Sequence, residues 1–483
     1  MSARDGRGRG IALVAGVALT AALALYLSYR NRDFQFEDGL IYQRYFRNWL
    51  DGAGLVYNRG ERFNGLTSPF YSYLVMATAA VVRDVQLAVT LVAGAGLAAA
   101  IGFLAAVFAR AADPFGAVLG ALLVACCRYF YVTFGMETTL FIALIGLALW
   151  LFDRRDSFLL GIALALLVAT RVEGALLVPA LAAEHFRQRR RRPPAAHFIL
   201  PIIILAAIAA FNSWYYGAPL PATATAKLYQ GSSGYWGGWK GFLDIRYQLP
   251  LVFAGDWSLI GPLLVLGGVG VVAVGGASLN RIVLPFLAAL TAFYLVVRIP
   301  NYHWYYAPYY AVGLFYAGAG ASLLVRRLAA GPGLVRLAAL AVLALAVYLP
   351  ACSLAATLPT LGRVDNGRYR AAGLWLAANT PVAATIAAVE VGFIGWYSDR
   401  PIVDILGLVN PRNAAAVGRR DLFTWLVLYA PDYILVHDPP TGFEVAAAAA
   451  EAKGEYAAEP RFAIAGLRLL RRASASHDRS DPR

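Results

Sequence analysis

Residues Ile11 to Tyr29 read IALVAGVALTAALALYLSY, without a charged side chain, and Glu37 and Asp38 follow a few residues later, side by side. At about 1.5 Å of rise per residue, such a stretch is long enough to cross a bilayer as a helix. The acidic pair then falls at the membrane surface. Carboxylates are costly beside hydrocarbon, so a pair in that place asks for a reason. From the residues alone two reasons stand open. The acids cap the helix that follows, where negative charge suits the positive end. Or one of them serves as a general base, because a half-buried carboxyl group beside another keeps its proton to higher pH.

The rest of the chain has the same character. Of 483 residues, 60% are hydrophobic and 14% charged, against about 25% charged in soluble domains. The apolar residues come in long blocks, which predicts a polytopic helical membrane protein. The net charge of +14 sits mostly in short loops between those blocks, while the region after about residue 356 is nearly balanced. That is a positive-inside pattern and excludes a nucleic-acid partner. Arg4, Arg7 and Arg9 precede the first block as in a signal peptide, but no small-residue cleavage site stands before Arg30. A retained first span is expected. Cys126, Cys127 and Cys352 have neither disulfide nor zinc spacing and read as packing residues.

Placing Arg110, Arg154, Arg155, the run Arg187 to Arg192, Arg281, Arg326 and Arg327 in the cytoplasm predicts eleven spans: 11–29, 86–109, 115–132, 138–152, 157–169, 174–185, 197–216, 257–276, 281–298, 304–325 and 334–354. The N-terminus is then cytoplasmic. Residues 69–82 are expected to be re-entrant or interfacial. The outer side collects Glu37, Asp38, Glu137, Arg171, Glu173, the loop from Tyr216 to Trp257 and the stretch Arg298 to Tyr306. Asp38 to Asp51 has helical spacing, with Ile41, Tyr42, Tyr45, Phe46, Trp49 and Leu50 on one face and Gln43, Arg44, Arg47 and Asn48 on the other. It is expected to lie flat on the outer leaflet. After Pro350 the composition turns soluble-like. A helix over 369–379, β-rich runs at 385–391, 401–405 and 432–437, and a hairpin within 454–470 predict a small α/β domain. The tail 473–483 reads as disordered.

The segment from Leu55 to Pro69 is rich in turn residues with aromatics between them. It reads as an ordinary loop or as a sugar-binding surface. Asn301 to Tyr306 reads as an interface belt of aromatics or as a platform for a sugar or a prenyl chain. His303 has no companions of metal-ligand type. Gly231 to Lys240, with Tyr235, Trp236 and Trp239, reads as a lid or as a mobile amphipathic loop. No Gly-rich phosphate loop follows a strand, so a nucleotide-bound donor is not expected.

Several of these stretches together resemble a known family. The run Phe36-Glu37-Asp38-Gly39-Leu40-Ile41-Tyr42-Gln43-Arg44-Tyr45, then Gly52 to Asn58, Gly60-Glu61 and Gly65-Leu66-Thr67-Ser68-Pro69, is similar to the first outer loop of GT-C glycosyltransferases. The branch it resembles most includes the mycobacterial terminal arabinofuranosyltransferase. That branch usually carries two aspartates where this chain has Glu37 and Asp38. Gly135-Met136-Glu137-Thr138 and Arg171-Val172-Glu173-Gly174 match as well, with Val172 in place of a proline. Tyr216 to Thr223 with Ala226-Lys227 resembles a further motif, with Ala222 in place of an asparagine. The resemblance covers about residues 11 to 355, and Trp396 to Asp404 extends it loosely into the C-terminal part.

The resemblance implies a fold and a site. The fold is a mainly α GT-C transmembrane bundle over 1–355, with outer loops at 30–85 and 217–256, followed by an extracytoplasmic α/β domain over 356–472. The activity is inverting transfer of a sugar, arabinofuranosyl or a related pentose or hexose, from a polyprenyl-phosphate donor to an extracytoplasmic glycan or glycoconjugate acceptor at the bacterial inner membrane. Asp38 would be the base, with Glu37 its orienting partner or the alternative base. Lys227, Arg171 and Arg298 would face the donor phosphate, although Lys227 also reads as an interfacial lysine and Arg171 as a partner of Glu137 or Glu173. Arg44, Tyr42, Asn58, Thr67, Glu137, Glu173, His303, Trp304 and Tyr305 would touch substrate. No cofactor and no metal site are expected, and metal dependence is left open. The competing readings are a flippase or transporter of lipid-linked sugar, and a non-catalytic assembly factor on the same scaffold.

Overall fold

The structure, a computed structural model, describes residues 3–244, 257–364 and 367–473. Its contacts group the chain into two compact units. The first comprises Met1–Gln35, Leu66–Pro219 and Gly237–Val364. The second comprises Phe36–Gly65, Leu220–Trp236 and Asp365–Arg483. Two segments expected as outer loops of the bundle, 36–65 and 220–236, therefore group with the C-terminal residues.

The first unit is helical. Six helices among the described residues are long and apolar enough to cross a membrane: Gly10–Arg30, Val85–Ala111, Ala196–Tyr216, Ser278–Val296, His303–Ala329 and Gly333–Thr360. This is the make-up of a multi-pass membrane protein. The other five of the eleven expected spans fall on shorter helices. The chain leaves helical geometry at Cys127 (φ −77°, ψ 116°) and at Arg171 (φ −150°, ψ 127°). The expected span 115–132 becomes helix Pro114–Cys126 and a short turn, Arg128–Tyr131. The expected spans 157–169 and 174–185 become helices Ser157–Thr170 and Leu177–Arg189, joined by a 3-10 turn. Residues 69–82 form a 14-residue apolar helix, Pro69–Val82. Aspartates set several helix starts: Asp84, Asp113 and Asp156 each accept a backbone N–H three residues on, at 2.9, 3.0 and 3.0 Å.

Lipid tails are as apolar as leucine, so helices in a bilayer associate by close approach of small residues. Helix Ala307–Ala329 shows this on two sides. A Cβ on Gly320 would collide with the Leu266 carbonyl, and one on Gly318 with the backbone of Gly116 and Gly120.

The second unit holds a five-stranded sheet: β1 (Ile386–Ala388), β2 (Ile402–Asp404), β3 (Tyr433–His437), β4 (Tyr456–Ala458) and β5 (Leu467–Arg472), in the order β2-β1-β3-β5-β4. β1 pairs in parallel with β2 and with β3, while β5 runs antiparallel to β3 and β4. Parallel neighbours need crossovers. Helix Val391–Ser398 supplies the first, and helices Pro411–Gly418 and Thr424–Tyr429 the second. A core of Ala387, Val403, Ile405, Trp425, Ile434, Val436 and Leu470 fills one face. The expected strand 385–391 is cut short, because Val391 already begins a helix. Of the expected disordered tail, residues 474–483 lie outside the described residues, as do residues 245–256 of the expected outer loop.

The helix expected over 38–51 forms as Glu37–Leu50, but it does not lie flat with one face in water. Gln43, Arg44 and Asn48, expected on the polar face, are buried along with Ile41, Tyr42, Tyr45 and Phe46. Two of them meet backbone carbonyls: Arg44 Nε donates to Tyr57 O at 2.8 Å and Nη2 to Arg400 O at 2.7 Å, while Asn48 Nδ2 donates to Val56 O at 2.9 Å.

Gly320→Ala forces a methyl group onto a backbone carbonyl and is expected to cost about 1–3 kcal/mol. Gly313→Ala on the same helix meets nothing within 4 Å. Thermal unfolding in detergent should show a lowered midpoint for the first variant and wild-type behaviour for the second.

Candidate functional site

Helix Glu37–Leu50 brings both acids into its first turn, yet the residue before it, Phe36, offers no side-chain cap. Glu37 turns its carboxylate to a different helix. It accepts the backbone N–H of Gly392 and, at 3.1 Å, that of Phe393. These are the first free amides of helix Val391–Ser398, whose own capping residue, Glu390, makes no side-chain cap. The approach is so close that a Cβ on Gly392 would strike the Glu37 backbone. Gly395, one turn on, gives the same clearance to Tyr57 and Arg44. Capping is thus part of what the pair does, but Glu37 caps a helix that sequence reading does not connect with it.

Asp38 stands beside Lys227, with Nζ 4.0 Å from Oδ2. Their side chains are 22% and 12% exposed, so the pair is half-buried, with Lys227 Nζ itself enclosed. Lys227 rides on helix Ala222–Ser233. That helix is tied down where Ala222 N–H donates to Asn64 O (2.9 Å), Thr223 Oγ1 to Gly65 O (3.2 Å) and Arg420 Nε to Ser233 O (2.9 Å). Burial raises the pKa of Asp38, and the Lys227 charge opposes that rise. Burial lowers the pKa of Lys227, opposed by Asp38 and Asp404. Glu37 is held well above the ordinary carboxylate range, first by burial and then by the charge of Glu390; the two amides pull the other way. Asp404, at the end of β2, is fully buried and accepts the N–H groups of Leu406 and Val409 at 2.8 and 2.9 Å. Burial still lifts it to about 6.

The structure gives other expected substrate residues of this unit internal work. Arg44 and Asn58 are buried. Asn58 pairs with the backbone of Ile402 in both directions, donating to its O at 2.9 Å and accepting its N–H at 2.9 Å. Tyr42 is buried edge-on against Phe46. These residues bolt the loop to β2 and leave little surface for a sugar.

In the helical unit, Glu137, Arg171 and Glu173 form one closed cluster. Arg171 Nη1 lies 3.0 Å from Glu137 and Nη2 2.6 Å from Glu173, and Tyr294 OH donates to Glu173 at 2.8 Å. Arg171 also lies over the Tyr305 ring at 4.7 Å. With its donors taken up by carboxylates, Arg171 acts as a pin inside the unit and not as a free cation for phosphate. Trp304 and Tyr305 are buried, Trp304 is stacked on Tyr302 at 4.7 Å, and the His303 carbonyl accepts Tyr129 OH at 2.6 Å. Of the expected phosphate and substrate residues in this unit, Arg298 and Thr67 are the exposed ones. Among the described residues no three His, Cys, Asp or Glu side chains converge as metal ligands do.

Sequence reading missed Glu390, His437 and Glu444. His437 Nδ1 sits 2.7 Å from Glu444 Oε1, and its Nε2 lies 2.7 Å from Tyr369 OH. The available signal was Gly392-Phe393-Ile394-Gly395, two glycines one turn apart after a β-rich run, which marks a helix start packed against another backbone.

Removing the pin should be costly. Arg171→Ala leaves two buried carboxylates, a loss of about 3–5 kcal/mol. The check is the thermal midpoint in detergent, which falls for Arg171→Ala and stays in place for the exposed Arg298→Ala.

Comparison with known proteins agrees with this architecture. Over 221 residues, 40% of this chain, the sequence is 31% identical to the terminal β-(1→2)-arabinofuranosyltransferase of Mycobacterium tuberculosis. The matched stretch spans about a third (34%) of that relative's length. A family described as a domain of unknown function (DUF8728) matches residues 362–476. Among solved structures, ArnT from Cupriavidus metallidurans bound to undecaprenyl phosphate superposes with a TM-score of 0.61 at 11% identity, covering 96% of this chain and 98% of that one. The apo oligosaccharyltransferase of Archaeoglobus fulgidus gives 0.58 at 14% identity, covering 88% and 69%. The chain therefore has the fold of the GT-C glycosyltransferases, with sequence similarity to an arabinofuranosyltransferase.

Proposed function

We propose that this chain is an inverting glycosyltransferase that moves a sugar from a polyprenyl-phosphate donor to a hydroxyl of an acceptor outside the membrane. The observation that carries the reading is the half-buried Asp38 carboxylate with the Lys227 ammonium 4.0 Å away. An inverting displacement needs a base on the incoming hydroxyl and a cation for the departing phosphate. Asp38 takes the proton from the acceptor hydroxyl as its oxygen bonds to the anomeric carbon. The bond from that carbon to the phosphate oxygen breaks, and its electron pair leaves with the phosphate. Lys227, on a flexible four-carbon stem, keeps Asp38 ionised before donor binds and offsets phosphate charge afterwards. Glu37 is a positioning residue in this scheme, since its carboxylate is committed to the helix at Gly392.

The lipid-linked donor is supported by ArnT, a neighbour of the same fold that binds undecaprenyl phosphate. An arabinofuranosyl group as the transferred sugar is supported by the mycobacterial relative. The basic loops support a cytoplasmic N-terminus, an outward-facing site and an extracytoplasmic C-terminal domain in the inner membrane. The eleven-span path belongs to the same proposal, with the shorter helices crossing as packed pieces.

A transporter is the competing reading, and one observation favours it. Glu137, Arg171 and Glu173 are ionisable and buried within the helical unit. The two readings part in an in vitro assay with a panel of polyprenyl-phosphate sugars, arabinofuranose included. An enzyme yields glycosylated acceptor and free polyprenyl phosphate. Asp38→Asn should lose about 10²–10⁴-fold in rate, and Glu37→Gln should lose less. Full activity in both variants would sink the assignment. Movement of intact donor across vesicles without product would favour transport.

A further inference from the structure

Two turns of the second unit carry aromatic rings that the chemistry at Asp38 does not use. Helix Ala222–Ser233, which bears Lys227, ends at Gly234, where a φ of +82° takes the chain out of the helix. That exit is fixed by hydrogen bonds. Ser233 Oγ donates to Gln230 O at 2.7 Å, Tyr235 N–H to Ser233 Oγ at 3.3 Å, and Arg420 Nε to Ser233 O at 2.9 Å. Tyr235 and Trp236 follow directly. The other turn, Thr441 to Glu444, comes after β3. Glu444 N–H closes it by donating to Thr441 O at 3.0 Å. The buried Glu444 carboxylate accepts the N–H and the hydroxyl of Thr441 at 2.6 and 2.9 Å on one oxygen. Its other oxygen accepts the His437 N–H at 3.0 Å and lies 2.7 Å from His437 Nδ1. Phe443 stands inside this braced turn.

The two turns meet through their rings. Trp236 stacks on Phe443 at 5.1 Å and 26°, and Tyr235 stands edge-on to Phe443 at 5.3 Å and 72°. Tyr235 is 43% exposed, and Trp236 and Phe443 are half-buried. Leaving aromatic area in water costs free energy, yet two stretches far apart in sequence are braced to present it. The neighbours of the rings in sequence are Gly231-Ser232-Ser233-Gly234 and Gly237-Gly238 in the first turn, and Asp438-Pro439-Pro440-Thr441-Gly442 in the second, with no aliphatic side chain. A segment that binds lipid does so through a continuous apolar face, which these turns lack. Rigid rings set among serine and glycine suit a ligand that is itself part apolar and part hydrogen-bonding. A sugar ring is built that way. The C–H groups of its faces meet the negative face of an aromatic ring, and its hydroxyls point outward to polar groups.

We propose that Tyr235, Trp236 and Phe443 form a platform that binds the acceptor as a glycan chain, holding a sugar behind the one whose hydroxyl reacts. The inference rests on the reading of Asp38 as the base. The helix that bears Lys227 runs on to Ser233, about 9 Å further, before the platform begins. That is longer than one sugar ring, so a sugar on the platform belongs to a chain whose end reaches Asp38. The acceptor class is therefore an oligosaccharide or the end of a polysaccharide.

The test separates binding from turnover. Full-length protein in detergent carrying Asp38→Asn is titrated with linear arabinofuranosyl, mannosyl and glucosyl oligosaccharides and with the matching single glycosides, and tryptophan fluorescence is followed. The Trp236 signal is identified by its loss in Trp236→Phe. One oligosaccharide should bind more tightly than its single glycoside and change the Trp236 signal. Trp236→Ala and Phe443→Ala should each weaken that binding roughly threefold to tenfold, while Trp236→Phe, which keeps a ring, should retain most of it. In the transfer assay, with Asp38 intact, the same alanine variants should raise KM for the oligosaccharide, keep kcat, and leave the single glycoside unaffected. Equal binding of oligosaccharide and single glycoside, or alanine variants that bind as wild type does, would overturn the proposal. So would quenching of Trp236 by brominated phospholipid in nanodiscs, which would put the ring in lipid. Should Asp38→Asn keep full transfer activity while the alanine variants still weaken oligosaccharide binding, the base assignment fails and the platform stands.

Discussion

The contact on which the second unit depends is a helix N-terminus capped from outside by Glu37. The carboxylate meets two amides of helix Val391–Ser398, and Gly392 removes the side chain that would keep them apart. An anion at a helix start satisfies orphan N–H groups and the helix dipole together. That one contact joins helix Glu37–Leu50 to the βαβ turn of the sheet. It fixes where Asp38 stands, because Asp38 is the next residue. The segment with Lys227 reaches the same place through its bonds to Asn64, Gly65 and Arg420. Asp38 and Lys227 thus come from two separate stretches of sequence, positioned by a third.

The two charge clusters differ in a way that separates structure from chemistry. Around Arg171 the guanidinium is enclosed by two carboxylates, a tyrosine hydroxyl and an aromatic face. Such a set is expensive to break and has little left to offer a ligand. Around Asp38 the nearest opposite charge, Lys227, sits at 4.0 Å, outside hydrogen-bond range, and both side chains are half-buried. A half-buried cluster has its pKa values pushed apart, and that is what acid-base work requires.

Much of this was legible in the sequence. The β-rich runs at 401–405 and 432–437 fall on β2 and β3, and the helix at 38–51 forms within a residue of its expected ends. The trio Glu37, Asp38 and Lys227 was named from its motifs. What stayed hidden has a common physical cause. Arg44 and Asn48 read as part of a wet face because their partners include backbone atoms at Tyr57, Val56 and Arg400, and backbone leaves no mark in composition. Glu390 read as a strand residue because the switch to helix at Val391 is made by two glycines and not by a capping side chain. The break at Cys127 was not visible, because hydropathy does not register a broken helix whose pieces remain apolar, whereas the break at Arg171 falls where the expected spans 157–169 and 174–185 meet.

The central claim is that Asp38, ionised with the help of Lys227, is the base. The most direct measurement is the pH dependence of kcat/KM in Lys227→Gln against wild type. Lys227 lowers the pKa of Asp38, so its loss leaves burial unopposed and Asp38 keeps its proton to higher pH. The account predicts an acid limb displaced to higher pH, on top of a general loss of rate. An acid limb at the same pH in both proteins would contradict it.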